Sequence, residues 1–506
     1  MVVLPILLFS VVATCEESLK PATLALQQKE PAKALSLLEP LRTTCAQSSS
    51  FYEILGLANE LSGNAAAGEE ALKTAVSLDS RSARLLTELG ATYLRNGKPS
   101  EAEKILNQAL VLDPSNTVTI KYAIGAAVGS HDWQRAATLF EQIGAGKNPA
   151  ALQQEPVLVL WFAQTMIETH QNDRVGSLLS SLQGPMPPGL LFSLGTLFAQ
   201  HGMYQRAVNC LKEIPAQSAD DAVYFNLGLS YSHLGQFDEA RKFYFQAIDK
   251  HPEHVDSYFH VGLDYAASGE PRMGIPWLFR AHGLAPARPD IAYALGEQLI
   301  ALEYLNSAKE VIGQALNSDP HDALLVVADG DLKRAQGDTA AAIDSYRRAL
   351  AEHPGLTAAL VGLARASIAQ GNESGAKSFL KTALSHDPED PFVNGELGLL
   401  EARQHDWDAA LDHLRRAWTQ NRSNPDIALE LARAYERKNR PLDALQLLAS
   451  ISPVMQESSA FHFELAQIYA LLHRSADAQA ERDALTSLQA RTHDALHFEN
   501  PRTYVH

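Results

Sequence analysis

Histidines are the residues of this chain that first suggest a metal or catalytic site. There are 18 of them, and imidazole serves both as a zinc ligand and as a general base. The triplet His-Asp-Trp occurs at His131–Trp133 and again at His405–Trp407, and the segment HPEH spans residues 251–254. Pro252 would break the helical turn that a paired histidine ligand set needs. We interpret these histidines as turn residues, with metal binding as the alternative, and we predict no metal and no cofactor.

The segment GAGKN at residues 144–148 resembles a phosphate-binding loop but lacks two of its required residues. Glu141 stands where the motif needs glycine, and Asn148 stands where it needs Ser or Thr. The sequence also has no Gly-x-Ser-x-Gly nucleophile elbow. We therefore predict that the chain is not an enzyme, with a hydrolase or transferase activity as the disfavoured alternative.

The elements that carry these residues follow one repeat of about 34 residues. Large apolar residues recur at this spacing from Leu38 to Leu448, each with a residue that is nearly always small four positions before it. These positions share one face of a helix. A second small series, mostly glycine, lies 12 residues before the first. Glycine inside a helix costs about 1 kcal/mol relative to alanine, so we expect each glycine to face the alanine of the next helix at close approach.

Prolines in phase with this repeat end six of the units, so each unit is predicted to be a helix, a short turn, a second helix and a turn that often contains proline. These prolines are Pro114, Pro252, Pro286, Pro320, Pro354 and Pro388. The unit from Asp221 to Glu253 is the most complete. Its marked positions are Tyr224, Leu227, Gly228, Tyr231, Ala240, Tyr244, Ala247 and Pro252. This pattern resembles the tetratricopeptide repeat. About fourteen such units run from about Cys15 to about Thr492.

The resemblance implies an all-α protein, an α-solenoid of stacked helix-turn-helix repeats in a right-handed superhelix. It also implies that the first helices line a concave groove and that the chain binds protein or peptide segments there. We divide the chain into an apolar N-terminal segment or signal peptide, N-terminal repeats, an irregular joint, regular repeats, and a last repeat with a capping helix and tail. Their bounds are 1–14, 15–143, 144–189, 190–458 and 459–506. Longer loops are the alternative to a joint.

Two series of side chains are candidate partner-binding residues in this groove. The aromatic series is Phe192, Phe225, Phe259 and Tyr293, and the basic series is Arg334, Arg365, Arg403 and Arg433. Exposed aromatic residues favour partner binding, and arginine holds carboxylates with two hydrogen bonds. The alternatives are packing between neighbouring helices for the rings and ordinary surface ion pairs for the arginines. If both series face the groove, the partner is an extended or helical segment with apolar anchors and some acidic character.

The N-terminal run MVVLPILLFSVVAT has the length of a signal-peptide core, although no Lys or Arg precedes Lys20. We expect export to the periplasm or outside the cell, with a cytoplasmic protein as the alternative. Cys15 and Cys45 occupy neighbouring ends of the first predicted helix pair. They are a possible disulfide, which would require an oxidising compartment. Two free thiols, and a lipid anchor on Cys15, are the alternatives.

The charge balance narrows the choice of partner. The net charge is −17, which disfavours nucleic acid and anionic membranes. No apolar run reaches the length of about 20 residues that a membrane-spanning helix needs. We therefore expect a non-catalytic scaffold that binds protein or peptide segments. The alternative is a component of cell-envelope assembly or polysaccharide secretion that binds glycan or secretion machinery.

Overall fold

The computed structural model describes residues 4–144, 152, 155–182, 184–420, 424–455 and 458–498. Within these residues the chain forms 28 α-helices and one short 3₁₀ helix, Glu39–Leu41, and no β-strand. The predicted all-α fold of helix-turn-helix repeats is confirmed. The chain divides into two compact units, Met1–Lys250 and His251–His506.

The first unit contains seven consecutive helix pairs. They are α1 Leu4–Gln27 with α2 Pro31–Leu38, α3 Ser49–Leu61 with α4 Ala65–Leu78, α5 Ala83–Arg95 with α6 Pro99–Leu112, α7 Thr117–Gly129 with α8 Trp133–Gln142, α9 Pro156–Glu168 with α10 Asn172–Ser181, α11 Pro188–Gln200 with α12 Tyr204–Lys212, and α13 Asp221–His233 with α14 Phe237–Lys250. We call the odd-numbered member of each pair the first helix and the even-numbered member the second helix.

The second unit also contains seven helix pairs in the described part of the chain. They are α15 Val255–Ala267 with α16 Pro271–Leu284, α17 Pro289–Ala301 with α18 Leu305–Ser318, α19 Ala323–Ala335 with α20 Thr339–Glu352, α21 Thr357–Ala369 with α22 Glu373–His386, α23 Pro391–Arg403 with α24 Trp407–Gln420, α25 Pro425–Arg437 with α26 Pro441–Met455, and α27 Ser459–Leu471 with α28 Ser475–Phe498. Within each unit a helix packs against its own partner and against helices of the neighbouring pair.

Local sequence signals set the ends of these helices. The side chain of Ser48 accepts a hydrogen bond from the Phe51 amide at 3.2 Å, and Asp322 accepts one from the Leu325 amide at 2.9 Å. Such caps satisfy amide groups that have no partner inside the helix. Pro320 and Pro354 lie between successive pairs, after α18 and α20. The predicted role of the phased prolines is confirmed at these turns.

The turn inside most pairs contains one residue in the left-handed backbone region. Glycine occupies it in many pairs, but His131 and His405 occupy it with φ of 58° and 61°. The imidazole of each lies edge-on or tilted to the Trp two residues later, with ring centroids 5.2 and 5.8 Å apart. The interpretation of both histidines as turn residues is confirmed. Among the described residues no cluster of three His, Cys, Asp or Glu side chains has the arrangement of a metal site.

The glycines of the first helices do lie at close approaches, although their nearest neighbour differs from the one expected. A Cβ atom built on Gly228 would lie 2.5 Å from Cδ1 of Tyr244, and one on Gly90 would lie 2.4 Å from Cγ of Leu106. The nearest neighbour of these glycines is therefore the large apolar residue of the second helix. The expected approach to the small residue is also seen, because a Cβ atom on Gly262 would lie 3.2 Å from the carbonyl oxygen of Gly274. The large side chain needs that space because it is fully buried, as the 0% exposure of Tyr244 shows.

Several predictions fall wholly or partly outside the described residues. Most of the GAGKN segment is among them, and so is part of the predicted joint at 144–189, although α9 and α10 lie within it. Arg482 is exposed on α28, in the predicted capping helix. In the portion that the structure describes, no helix is long and apolar enough to cross a membrane. The predicted domain bounds stay predictions.

Candidate functional site

The aromatic series occupies the fifth residue of four first helices, and all four rings are half-buried. Phe192 and Phe225 belong to the first unit, whereas Phe259 and Tyr293 belong to the second. Phe225 contacts Tyr244, with ring centroids 5.8 Å apart. Phe259 packs on the apolar cluster around Leu278, and the Arg288 guanidinium lies 5.7 Å above its ring. Each ring is therefore partly packed against the protein and partly exposed to solvent.

The arginine series is largely ion-paired. Arg365 donates to Glu396 at 2.5 and 3.2 Å, which joins α21 to α23. Arg433 bonds Glu464 of α27 and Glu430 of its own helix, each at 2.5 Å. The Arg365–Glu396 and Arg433–Glu464 pairs therefore each link two neighbouring first helices.

The remaining two arginines differ in their surroundings. Arg334 donates to Asp331 at 3.2 Å, and its Nε atom is buried without a hydrogen-bond partner in the described structure. Arg403 is exposed at the end of α23, and no ion pair is recorded for it among the described residues. Of the four predicted arginines, Arg403 is thus the one whose charge stays open to solvent.

One pocket of the second unit takes side chains from four consecutive first helices. Its volume is ≈ 300 Å³. Glu297 comes from α17, Asp331 and Arg334 from α19, Arg365 from α21, and Phe392 from α23; Gln298, Ile300 and Ala301 complete the lining. Sequential packing of first helices is what brings residues about 95 positions apart onto one surface.

Two carboxylates and two guanidinium groups line this pocket, but Glu297 takes part in no ion pair among the described residues. Arg365 is paired with Glu396 and Arg334 with Asp331, whereas Glu297 accepts a hydrogen bond from the Tyr293 hydroxyl at 2.8 Å. No Lys, Arg or His lies within ion-pair distance of Glu297 among the described residues. The pocket therefore presents one carboxylate without a cation.

The surroundings of Glu297 and Tyr293 change their acidity. Desolvation raises the pKa of the Glu297 carboxyl above its usual value, and repulsion by Asp331 adds to this. The Tyr293 hydrogen bond and the positive charge of Arg365, which forms no ion pair with Glu297, oppose the shift. Desolvation and the neighbouring carboxylate also raise the pKa of the Tyr293 hydroxyl. A ligand cation placed beside Glu297 would stabilise the ionised carboxylate.

Sequence reasoning missed Glu297, Asp331 and Phe392. Glu297 and Asp331 are the ninth residues of α17 and α19, the position that Arg365 occupies in α21. Charged residues at successive ninth positions were therefore a readable signal. Phe392 is the second residue of α23, and its side chain is 52% exposed. Its place in the sequence does not show whether the ring is exposed or buried in the core.

Cys15 and Cys45 are joined by a disulfide that links the first helix pair to the turn before α3, with Cα atoms 5.5 Å apart. Both residues are buried, with exposures of 0% and 1%. Cys210 is a free, buried thiol, and burial raises its pKa to about 12. It is therefore a packed side chain and not a reactive nucleophile.

Two family models, each described as "Tetratricopeptide repeat", match this chain. One matches residues 61–118, 333–394 and 401–468, and the other matches residues 222–254. The chain belongs to the tetratricopeptide-repeat family. Tetratricopeptide-repeat proteins bind proteins or peptides, and the repeat scaffold is generally non-catalytic.

This tetratricopeptide-repeat chain is similar to several known proteins over part of their length. "Cellulose synthase 1 operon protein C" of Komagataeibacter xylinus is 28% identical over 265 residues, which are 51% of this chain and 17% of that protein. "TPR repeat-containing protein YpiA" of Bacillus subtilis (strain 168) is 22% identical over 267 residues, which are 52% of this chain and 63% of that protein. The chain therefore spans less than two thirds of either relative.

Among solved structures, a tetratricopeptide repeat protein from Parabacteroides merdae ATCC 43184 matches with a TM-score of 0.42 and 17% sequence identity. The match covers 48% of this chain and 97% of that one.

Proposed function

We propose that this chain is a non-catalytic scaffold that binds extended or helical protein segments on the surface of its first helices. The observation that carries the proposal is the pocket to which α17, α19, α21 and α23 all contribute. A ligand that touches four successive helices must itself be elongated, and a peptide segment meets that requirement. The pocket combines an exposed ring with fixed charges, which suits recognition of side chains more than chemistry on a substrate.

The predicted aromatic and basic residues are proposed as secondary contacts. Phe192, Phe225, Phe259 and Tyr293 each expose part of a ring, which is consistent with apolar contacts to a partner. Arg403 is the residue of its series best suited to a partner carboxylate. Arg334, Arg365 and Arg433 already have carboxylate partners, so we propose that they shape the surface and contribute little net charge to a ligand.

A second candidate function is a role in cell-envelope assembly or polysaccharide secretion. It is favoured by the similarity to proteins named for cellulose synthase operons, with 26 to 28% identity over about half of this chain. In that case the groove would bind glycan or secretion machinery. The present chain corresponds to less than a fifth of each of those proteins, so the proposal concerns the repeats alone.

We further propose that the protein is exported to the periplasm or outside the cell. The Cys15–Cys45 disulfide supports this, because such bonds form and persist in oxidising compartments. The same bond supports a disulfide over the lipid anchor on Cys15 that we considered as an alternative, since one sulfur atom cannot carry both.

The experiment that tests the binding function compares peptide arrays with oligosaccharide arrays, using the full chain. We expect peptides to bind, and we expect Phe392→Ala to weaken binding by about tenfold, since an exposed ring at the centre of a contact contributes about 1–2 kcal/mol. Phe279→Ala is the matched control, because Phe279 is 41% exposed on the second helix α16. Selective binding of oligosaccharides would favour the second candidate. Equal effects of Phe392→Ala and Phe279→Ala would refute the proposal that peptides bind on the first helices.

A further inference from the structure

One first helix lacks the side chain that its neighbours use to reach the next repeat. From α3 to α27 the fifth residue is Glu53, Thr87, Lys121, Leu160, Phe192, Phe225, Phe259, Tyr293, Val327, Val361, Gly395, Leu429 or Phe463. In several helices this residue meets the start of the following first helix, whereas Phe225 contacts Tyr244 of its own pair and Tyr293 bonds Glu297 of its own helix. Thr87 bonds Thr119 of α7 at 2.7 Å, and Glu53 pairs with Arg84 of α5. Gly395 is the single member of this series with no side chain.

A small pocket lies beside this glycine, on the far side of the Ile427 side chain that packs against it. Its volume is ≈ 110 Å³. It is lined mainly by apolar residues, with two polar residues at its edge: Pro391, Phe392, Leu399, Ala417 and Ile427, with Glu396 and Asn424. A Cβ atom built on Gly395 would lie 3.0 Å from Cδ1 of Ile427 and 3.8 Å from Cβ of Ala417. The pocket therefore borders the glycine. We call it the Gly395 socket.

The socket has the size and the lining for one aliphatic side chain. An apolar cavity of about 150 Å³ accepts benzene, so a space of ≈ 110 Å³ suits a group somewhat smaller than that ring. Leu and Ile side chains have this size. Burying such a side chain in an apolar socket is favourable, whereas a polar side chain would lose its hydrogen bonds with water.

Phe392 connects the socket to the charged pocket described above, because its ring lines both. Arg365 lies 5.2 Å from the centre of that ring and is neutralised by Glu396, which also lines the socket. The charged pocket contributes Glu297, the carboxylate without a cation. The two pockets thus offer an apolar site and a site for positive charge, with one exposed ring between them.

We propose that the second unit recognises a protein segment that carries one Leu or Ile side chain and one Lys or Arg side chain. The aliphatic group enters the Gly395 socket, the cation pairs with Glu297, and the backbone between them crosses the face of Phe392. This inference rests on the proposed binding function and specifies its ligand. It differs from the acidic segment expected from the arginine series, because Arg334 and Arg365 are already paired and Glu297 is not.

The test uses the full chain and short Gly/Ser peptides with one Leu and one Lys at varied separation and in both orders. At the best separation, we expect replacement of Leu by Ser to weaken binding about tenfold and replacement of Lys by Gln to weaken it about threefold. Gly395→Val should shift the preference from Leu to Ala, because its Cβ would meet Ile427 at 3.0 Å and push that lining side chain into the socket. Leu399→Ala should shift it from Leu to Phe, because the socket widens.

Glu297→Gln should abolish the preference for Lys over Gln and leave the preference for Leu over Ser intact. Glu310→Gln is the matched control, because Glu310 is exposed on the second helix α18. These readouts are preferences measured on one folded protein, so a loss of stability cannot imitate them. Peptide binding whose preferences do not change in Gly395→Val, Leu399→Ala and Glu297→Gln would overturn this inference while the binding function stands. If no peptide binds at all, both fail.

Discussion

At the scale of single residues, the repeat depends on glycine positions that accommodate large neighbours. Tyr346 is the clearest case, because two first helices contribute to its space. A Cβ atom on Gly330 would lie 2.6 Å from Cε1 of the ring, and one on Gly362 would lie 2.5 Å from the same atom. The ring is fully buried, and its hydroxyl lies 2.9 Å from a carboxylate oxygen of Asp331. The Tyr346 ring is therefore packed between Gly330 and Gly362, and little space remains into which it could shift.

Gly330→Ala should consequently destabilise the protein by about 1–3 kcal/mol, the usual cost of forcing extra volume into a packed site. Gly313→Ala in α18 is the matched control, because no atom lies within 4 Å of a Cβ built there. That substitution should be neutral or stabilise by up to about 1 kcal/mol, since alanine is the better helix former. Denaturant unfolding of both variants provides the measurement. A Gly330→Ala variant as stable as wild type would show that the ring can shift.

Ion pairs between first helices are the second feature at this scale. Arg365–Glu396 and Arg433–Glu464 each span about one repeat. They neutralise two of the four arginines that were predicted to receive an acidic ligand. The carboxylate of Glu297, which has no such partner, thereby becomes the distinguishing charge of its pocket.

At the scale of elements, the Cys15–Cys45 disulfide fixes the first helix pair. Both sulfur atoms lie within the apolar cluster that includes Leu19, Leu38 and Phe51. The bond closes a loop with a sequence separation of 30 residues. In the chain-entropy model, a loop of this length corresponds to about 3–4 kcal/mol of stabilisation.

Reduction of this bond should lower the free energy of opening of α1 and α2 by about 3–4 kcal/mol, because the unfolded segment regains its conformational freedom. Hydrogen exchange of amides in these helices, with and without reductant, measures the change. A Cys15→Ser, Cys45→Ser double variant should exchange at the faster rate in both conditions. Equal protection of the wild-type helices with and without reductant would contradict the prediction.

At the scale of the whole molecule, stability is distributed over neighbouring repeats. Each of the two units has its own sequential packing of helix pairs, and the free energy of a repeat array is approximately a sum of terms from adjacent repeats. A local change should therefore have local consequences. This behaviour differs from that of a globular domain with one shared core.

Gly330→Ala provides the test at this scale as well. We expect faster amide hydrogen exchange in α19, α20 and α21 and unchanged exchange in α3 to α13 of the first unit. The reason is that the added methyl group would displace Tyr346 of α20, and this ring contacts residues of α19 and α21. Uniform acceleration throughout both units would mean that the chain unfolds as one cooperative body.

The sequence by itself determined the helix pairs, their spacing and their turns, because a helix face repeats every few residues and each 34-residue unit repeats the same local signals. It also placed Cys15 and Cys45 at adjoining ends of one pair. Only the tertiary structure decided which charges are paired and which space is empty. Arg365 and Glu297 are both charged residues at equivalent positions of their helices, yet among the described residues one has an ion-pair partner and the other has none. Such outcomes depend on side chains from separate helices meeting at distances of a few ångströms, and the spacing of residues along one chain does not fix them.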